Sequence, residues 1–389
     1  MKSRKLSGTR RRVTILAAAA TSVVAGVALL PNWSAGAAVS DGPTVDARTR
    51  ATFQRLADAV FTDRTNALVD DGRTGADKPL AGGFSGDVTL SSGTARTEDA
   101  TLSALGRRKE KLAKAGETYG KASTTVTLNA TRVTGRTAKA EVTETTTLTY
   151  ARPRGDAPKT TGFQARHELT FKADRQGDWR LTGIRDADQG GLAVNTLSKP
   201  APVKATAADN TTPNAPRAAI TRNPAADPKT GTTYDYKAMA AYAEKYWNVY
   251  NKDYPDFSGH GAGGDCTNFV SQSLKAGGWK HAPGYVYDYT KWFGNADIQS
   301  DSFVGVNEWS WFAQNSKRTK PLANVFQLEV GDVLQMDFDR DGSKDHTMIV
   351  TYKSGGVPYV TYHSNNTFRR SVASLVASYP NAYYYAYRT

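Results

Sequence analysis

The 389-residue chain contains a single cysteine, Cys266. No intramolecular disulfide can form, and no cysteine-pair zinc site is available. There is no G-x-S-x-G elbow, no Walker loop and no H-E-x-x-H pair. Serine-elbow, P-loop and zincin chemistry are thereby excluded. Only Val13 to Leu30 approaches the roughly 20 apolar residues of a membrane span, and it lies between a basic start (Lys2, Arg4, Lys5, Arg10, Arg11, Arg12) and the small residues Ala35-Gly36-Ala37. That order reads as an export signal over 1–38, cleaved near Ala37 or Ala38, with a permanent anchor as the alternative and the twin-arginine route open. Removing those six positive charges takes the formal net charge from +13 to +7. The basic excess therefore does not call for nucleic acid, and no membrane segment is expected once the signal is gone.

What is present suits globular structure: 39% hydrophobic and 10% aromatic residues over a length sufficient for two cores. Apolar positions at helical spacing (Phe53, Leu56, Ala57, Val60, Phe61) predict a helix over about 47–69, and Leu102, Leu105 and Leu112 a second over about 98–117. β-branched stretches then predict an antiparallel meander ending near residue 186. Helices followed by a meander give a separate α+β domain over 43–197, and its helix-then-sheet order resembles the cone-shaped NTF2-like domains. His167 alternates with Ala165, Leu169 and Phe171 and reads as a histidine lining a partly buried face. Residues 198–233, rich in Pro, Ala and Thr, read as a mobile tether. A second domain over 234–389 opens with a helical aromatic stripe (Tyr236, Met239, Ala243, Trp247), read as core.

An unpaired thiol in an exported chain is retained for reactivity or is buried and inert. In GGDCTNFVSQSLKAGGW (263–279), Phe269, Val270, Ser273 and Leu274 follow Cys266 at helical spacing, and Gly277-Gly278 supplies a stop. Cys266 thus falls in a helix's first turn, where free N–H groups and the helix dipole stabilise a thiolate and can bind an oxyanion. Asp265 is placed to cap that helix. His346 opens a predicted strand in phase with Met348 and Val350 and is the candidate base. A third group should orient its imidazole. His363, in phase with Tyr359 and Thr361, is the first choice, with Asn365 and Asn366 as rivals.

The ordered motifs GGDCTNFVSQ, GDV, DH-x-x-IVT and YHSNN resemble the bacterial "putative amidase domain" family of papain-like cysteine hydrolases, related to the NlpC-type and CHAP cell-wall peptidases. The resemblance covers 234–389. It implies a papain-like α+β fold, with the nucleophile on a helix packed against an antiparallel sheet that bears the base. It also implies amide hydrolysis through a thioester, with no redox or nucleotide cofactor. Peptidoglycan stem peptides, or another extracellular amide, are the implied substrates of a secreted, cell-wall-associated enzyme, expected to be a monomer. The glutamine that papain places upstream of its cysteine is replaced here by His260, leaving the second oxyanion donor open.

DFDRDGSKDH sets Asp337, Asp339 and Asp341 at alternate positions, followed by Gly342 and Asp345. Alternating carboxylates on a glycine turn suit a structural calcium ion, although Met348 occupies the place an EF-hand reserves for glutamate. A solvated turn is the equal alternative. His281 reads as a surface residue, and the aromatics between Trp279 and Phe312 read as core and cleft wall.

Overall fold

The computed structural model describes residues 45–70, 88–153, 155–188, 192–197, 215–230, 233–258 and 264–389. The expected export signal, His260 and the first half of the expected tether lie outside them. No described helix is long and apolar enough to cross a membrane.

The first half is α1 (Ala47–Asn66), β1 (Val88–Leu90), α2 (Ser92–Lys114), β2 (Tyr119–Thr134), β3 (Thr137–Tyr150), β4 (Thr160–Ala173) and β5 (Trp179–Asp186). Asp46 caps α1 by accepting from Thr49 N at 2.7 Å, which satisfies one of the amides a helix start leaves without a partner. Helix α2 begins six residues before the expected Glu98, because Ser91 accepts from Thr94 N at 3.2 Å and starts the helix in a polar stretch without apolar period. The apolar stripe of α1 packs on the alternating residues of the meander. Phe53 stacks on Phe171 at 3.8 Å and meets Trp179 edge-on at 5.7 Å, and each such ring contributes roughly 1.5–3 kcal/mol on burial.

Under that sheet lies a charged cluster. His167 joins Asp186 Oδ1 and Glu144 Oε2, both at 3.0 Å, and Glu144 also accepts from Asn195 at 2.7 Å and Thr146 at 2.8 Å. Burial alone would lower the pKa of His167, but its bonds to Asp186 and Glu144 outweigh burial and hold it above 6.5. His167 is therefore a buried ion-pair partner and not merely a residue of a half-buried face. Because its folded pKa is raised, its contribution to stability is complete below pH 6.5 and fades as pH rises through the folded value. Breaking a buried pair strands its other member. Glu144→Leu should cost about 3–5 kcal/mol, read as a lowered urea midpoint.

The second half is α3 (Tyr236–Tyr246), α4 (Cys266–Ala276), α5 (Asp301–Val304), α6 (Val306–Asn315), β6 (Lys320–Leu322), β7 (Val333–Asp337), β8 (His346–Ser354), β9 (Val357–Tyr362), β10 (Thr367–Ser371), α7 (Val372–Ser378) and β11 (Tyr383–Arg388). Its sheet has a core on each face. Val333, Ile349, Tyr385 and Tyr387 pack with Met239, Phe269 and Trp309 of the helical layer. Leu334, Met336, Met348, Val350 and Tyr362 pack with Val372 and Leu375 on the reverse. Gly277 ends α4 where α3 crosses it; a Cβ there would lie 2.2 Å from Met239 Cγ.

The α+β expectation holds at the level of a mixed fold, in which a parallel β1–β5 pair joins an otherwise antiparallel sheet. The two halves are more intimately joined than separate domains on a tether. One eleven-stranded sheet runs through both, in the order β1-β5-β4-β10-β9-β8-β7-β11-β6, with β3 on β4 and β2 on β3. Strand β4 gives one edge to β3. On its other edge β5 takes His167–Ala173, while β10 pairs with Gly162 and Phe163. A strand of 14 residues beside a partner of 8 leaves edge amides and carbonyls unpaired, and β10 takes them up.

Within the expected tether, residues 215–230 are a strap bound to the second half. Ala218 N donates to Tyr384 O at 2.7 Å, Lys229 pairs with Asp332 at 2.7 Å, and Arg217 lies over the Tyr383 ring at 3.4 Å. Residues 215–230 form no helix or strand, but regular structure is not required for a chain to be held.

Candidate functional site

Cys266 is the first residue of α4 and is fully buried. The Thr347 backbone N–H is directed at the sulfur, and Thr267 Oγ1 lies 3.8 Å away. Thr267 in turn meets Thr347 Oγ1 at 2.9 Å, tying α4 to β8. Burial pushes the thiol up to about 11, opposed by the N–H of Thr347 and the Thr267 hydroxyl and reinforced by the Asp265 carboxylate. The expectation of a thiolate stabilised by the helix start is thus reversed in this arrangement. Removing an anion from water costs more than a few N–H dipoles return.

Asp265 does not cap α4 through a backbone amide. Its Oδ1 accepts instead from Phe257 N at 3.2 Å and from the Asn268 side chain at 2.8 Å, and its Oδ2 accepts from His363 Nδ1 at 2.6 Å. His363 also points Nε2 at the carbonyl of Tyr246, at 2.8 Å. Both contacts fall on acceptors, so both are made only when each ring nitrogen carries hydrogen. The ring is clamped between Phe269, stacked at 4.0 Å, and Tyr250 at 4.5 Å. Phe269 sits one turn after Cys266 on α4, so this imidazole belongs to the cysteine's side of the sheet.

His346 does not. It pairs with Met336 in the β7–β8 ladder and meets Tyr362 edge-on at 5.0 Å, both members of the reverse core. Its neighbour Thr347 faces α4. The structure therefore does not bring the expected base to the expected nucleophile. Desolvation lowers His346 to about 3, and its Nε2 has no hydrogen-bond partner among the described residues. His363 and His346 likewise lie on opposite faces, so one does not orient the other.

Asn365 is not an imidazole partner either. Its side chain accepts from Leu192 N at 2.5 Å and donates to Asp188 Oδ2 at 2.9 Å, both in the first half. Asn366 accepts from the Tyr250 hydroxyl at 3.2 Å. Beside these residues a cleft of about 210 Å³ opens where the halves meet, lined by Gln164, Arg166, Asp188, Tyr250, Ser364 and Asn366 among others. Sequence reasoning passed over Thr267, Thr347, Arg166 and Asp188. Thr267 and Thr347 sit beside Cys266 and His346 inside the quoted motifs but carry no chemical signature of their own, and Arg166 and Asp188 acquire their place only through long-range pairing.

Of the four aspartates expected to hold calcium, Asp337, Asp339 and Asp345 bring ligand oxygens within 4.8 Å of one another. Asp341 falls outside that group and accepts from Ser343 N at 2.7 Å. Asp337 already accepts from Arg340 N at 2.6 Å and Gly342 N at 3.0 Å, and burial followed by the nearby Asp341 and Asp339 raises its pKa.

The chain is 36% identical over 140 residues to the uncharacterized protein YhbB of Bacillus subtilis strain 168, and 30% identical over 143 residues to the uncharacterized protein YjcM of the same strain. Each match covers 34% of this chain, with 42% and 31% of the respective relatives, so the chain spans less than half the length of either. Among solved structures, an NTF2-like superfamily protein from Salmonella enterica serovar Typhimurium matches at 13% identity and a TM-score of 0.20, covering 41% of this chain and 95% of that one. The intermembrane space region of the chloroplast protein ARC6 matches at 15% identity and a TM-score of 0.21, covering 34% and 95%. Residues 233–387 match the family described as "Putative amidase domain", which supports hydrolase activity in the half of the chain that carries Cys266 and His363.

Proposed function

We propose that the chain is an exported cysteine amidohydrolase of papain-like character, with Cys266 as nucleophile and the His363–Asp265 pair as its imidazole and carboxylate. One observation carries this reading: Cys266 heads α4 directly after Asp265, whose carboxylate is bonded to His363 at 2.6 Å on the same side of the sheet. When His363 is neutral and keeps its Nδ1–H on Asp265, Nε2 presents a lone pair to the Tyr246 carbonyl, which is repulsive. A neutral ring that slides off that carbonyl between Phe269 and Tyr250 would offer Nε2 to the thiol proton. The sulfur attacks the amide carbonyl, the imidazolium gives its proton to the departing amine, and water splits the thioester into acid and free thiol. The Thr347 N–H and the first amides of α4 would stabilise the oxyanion.

A basic mature chain is drawn to polyanionic cell wall, so peptidoglycan stem peptides are the first substrates to test. Purified protein incubated with muropeptides, casein and simple amides should release a new amine from the first set. During turnover, Cys266 should carry an added acyl mass that hydroxylamine removes. No acyl adduct on Cys266 with any substrate that is cleaved would overturn the mechanism.

The full burial of Cys266 favours a second reading, a wall- or matrix-binding protein on the same fold with an inert thiol. Retention on peptidoglycan sacculi without release of any product would select it.

The carboxylates of Asp337, Asp339 and Asp345 would hold a structural calcium ion beside β8, where oxygen ligands suit the ion and no chemistry is asked of it. Millimolar calcium should raise the melting temperature by roughly 2–4 °C over EDTA. An unmoved melt removes the ion from the account.

A further inference from the structure

The first half of the chain grips both segments that build the site. Asp188 Oδ1 accepts from Arg166 Nε at 2.8 Å, and Oδ2 accepts from Arg166 N at 2.6 Å and from Asn365 Nδ2 at 2.9 Å. Arg166 Nη2 donates to Ser258 O at 2.6 Å. Ser258 follows Phe257, whose amide bonds Asp265 beside Cys266. Asn365 lies two residues beyond His363, and it and Ser364 adopt left-handed backbone, with φ of 61° and 66°. Left-handed backbone is strained for residues other than glycine and persists where surrounding bonds over-determine it.

We propose that the Arg166–Asp188 ion pair is a positioning clasp. It holds the approach to Cys266 and the turn after His363 in one register, so the first half completes the site and is not a separate targeting module. The inference rests on the proposed function for the roles of Cys266 and His363. Asp188 is nearly buried, with a side chain 8% exposed, so its charge is poorly screened and its loss leaves Arg166 and Asn365 both short of a partner. The strained turn then has no reason to keep His363 on Asp265.

The test uses the full chain and two readouts that need no substrate. The first is the rate at which iodoacetamide alkylates the lone cysteine. The second is an exchange-protected, low-field His363 Nδ1–H resonance, assigned by its loss in His363→Gln. Asp188→Asn and Arg166→Gln should each alkylate at least about tenfold faster than wild type and lose that resonance. The double variant should be no worse than either single one, because the two residues act as one unit. Asn365→Gly removes the amide while relieving the backbone, so it keeps the question open to measurement if Asp188→Asn folds poorly. It should also lose the resonance. A lowered melting temperature with unchanged labelling and an unchanged resonance would reduce the pair to a structural brace and overturn the proposal. Loss of hydrolysis by Cys266→Ala is a separate measurement, so failure of the clasp and failure of the proposed chemistry are told apart.

Discussion

Hydrolysis should fall at least about 10⁴-fold in Cys266→Ala, while the protein unfolds within about 1 kcal/mol of wild type. The two expectations come from different features of one residue. Sulfur forms the covalent bond that divides hydrolysis into two easier steps, and alanine offers nothing in its place. Yet replacing the side chain by a methyl group removes a single heavy atom from the core, so little packing leaves with it. His363→Ala should cost nearly as much activity, since without the ring the thiol stays protonated near neutral pH. Asp265→Asn should sit between them, because an amide still accepts one hydrogen bond but no longer favours a charged imidazole. Turnover with the best substrate of the panel, measured beside a urea melt of each variant, checks all three. Activity persisting in a folded Cys266→Ala protein would end the case for a cysteine nucleophile.

Acid should unfold the protein earlier than its carboxylates alone would require, and His346 should be the reason. Its folded pKa of about 3 lies below the ordinary 6.5 because desolvation disfavours the charged ring. A depressed histidine stabilises the fold fully above pH 6.5 and progressively less as pH falls towards the folded value. Each unit of that gap is about 1.4 kcal/mol, so roughly 4–5 kcal/mol is at stake across the window. His346→Leu should flatten this acid limb. It should not destabilise the protein at neutral pH, because it also removes the orphaned Nε2 from an apolar core. Hydrolysis should survive at a comparable level, since the ring faces away from α4. Denaturant melts from pH 4 to 8 with matched activity assays decide the matter. An unchanged acid limb would remove His346 from the account of acid unfolding, and a stable His346→Leu protein devoid of activity would restore it to the site.

The elements were legible wherever period alone identifies them. Phe53 to Phe61 and Phe269 to Leu274 recur at helical spacing and lie on buried helices. The β-branched alternation of residues 123–186 became the four long strands of the first half. A helix beginning at Cys266 was readable from its glycines and apolar stripe, because both signals act within a few residues.

The assignment of histidines to faces was not legible. Strand alternation separates His346 from Thr347 correctly, but this sheet is buried on both sides. Met348 and Ile349 are equally apolar, and nothing local says which side α4 covers. The same limit applied to the thiol. A helix start predicts a lowered pKa, whereas its burial is set by strands and helices distant in sequence. The sequence by itself determined that there is one thiol, at the head of a helix, beside an aspartate. Tertiary structure decided that His363 reaches that aspartate while His346 does not, and that the first half of the chain clasps the site. Side-chain direction follows from two or three neighbouring residues, but the partner on that side is chosen by pairing between segments 80 residues apart for Thr267 and Thr347 and 98 for Asp265 and His363.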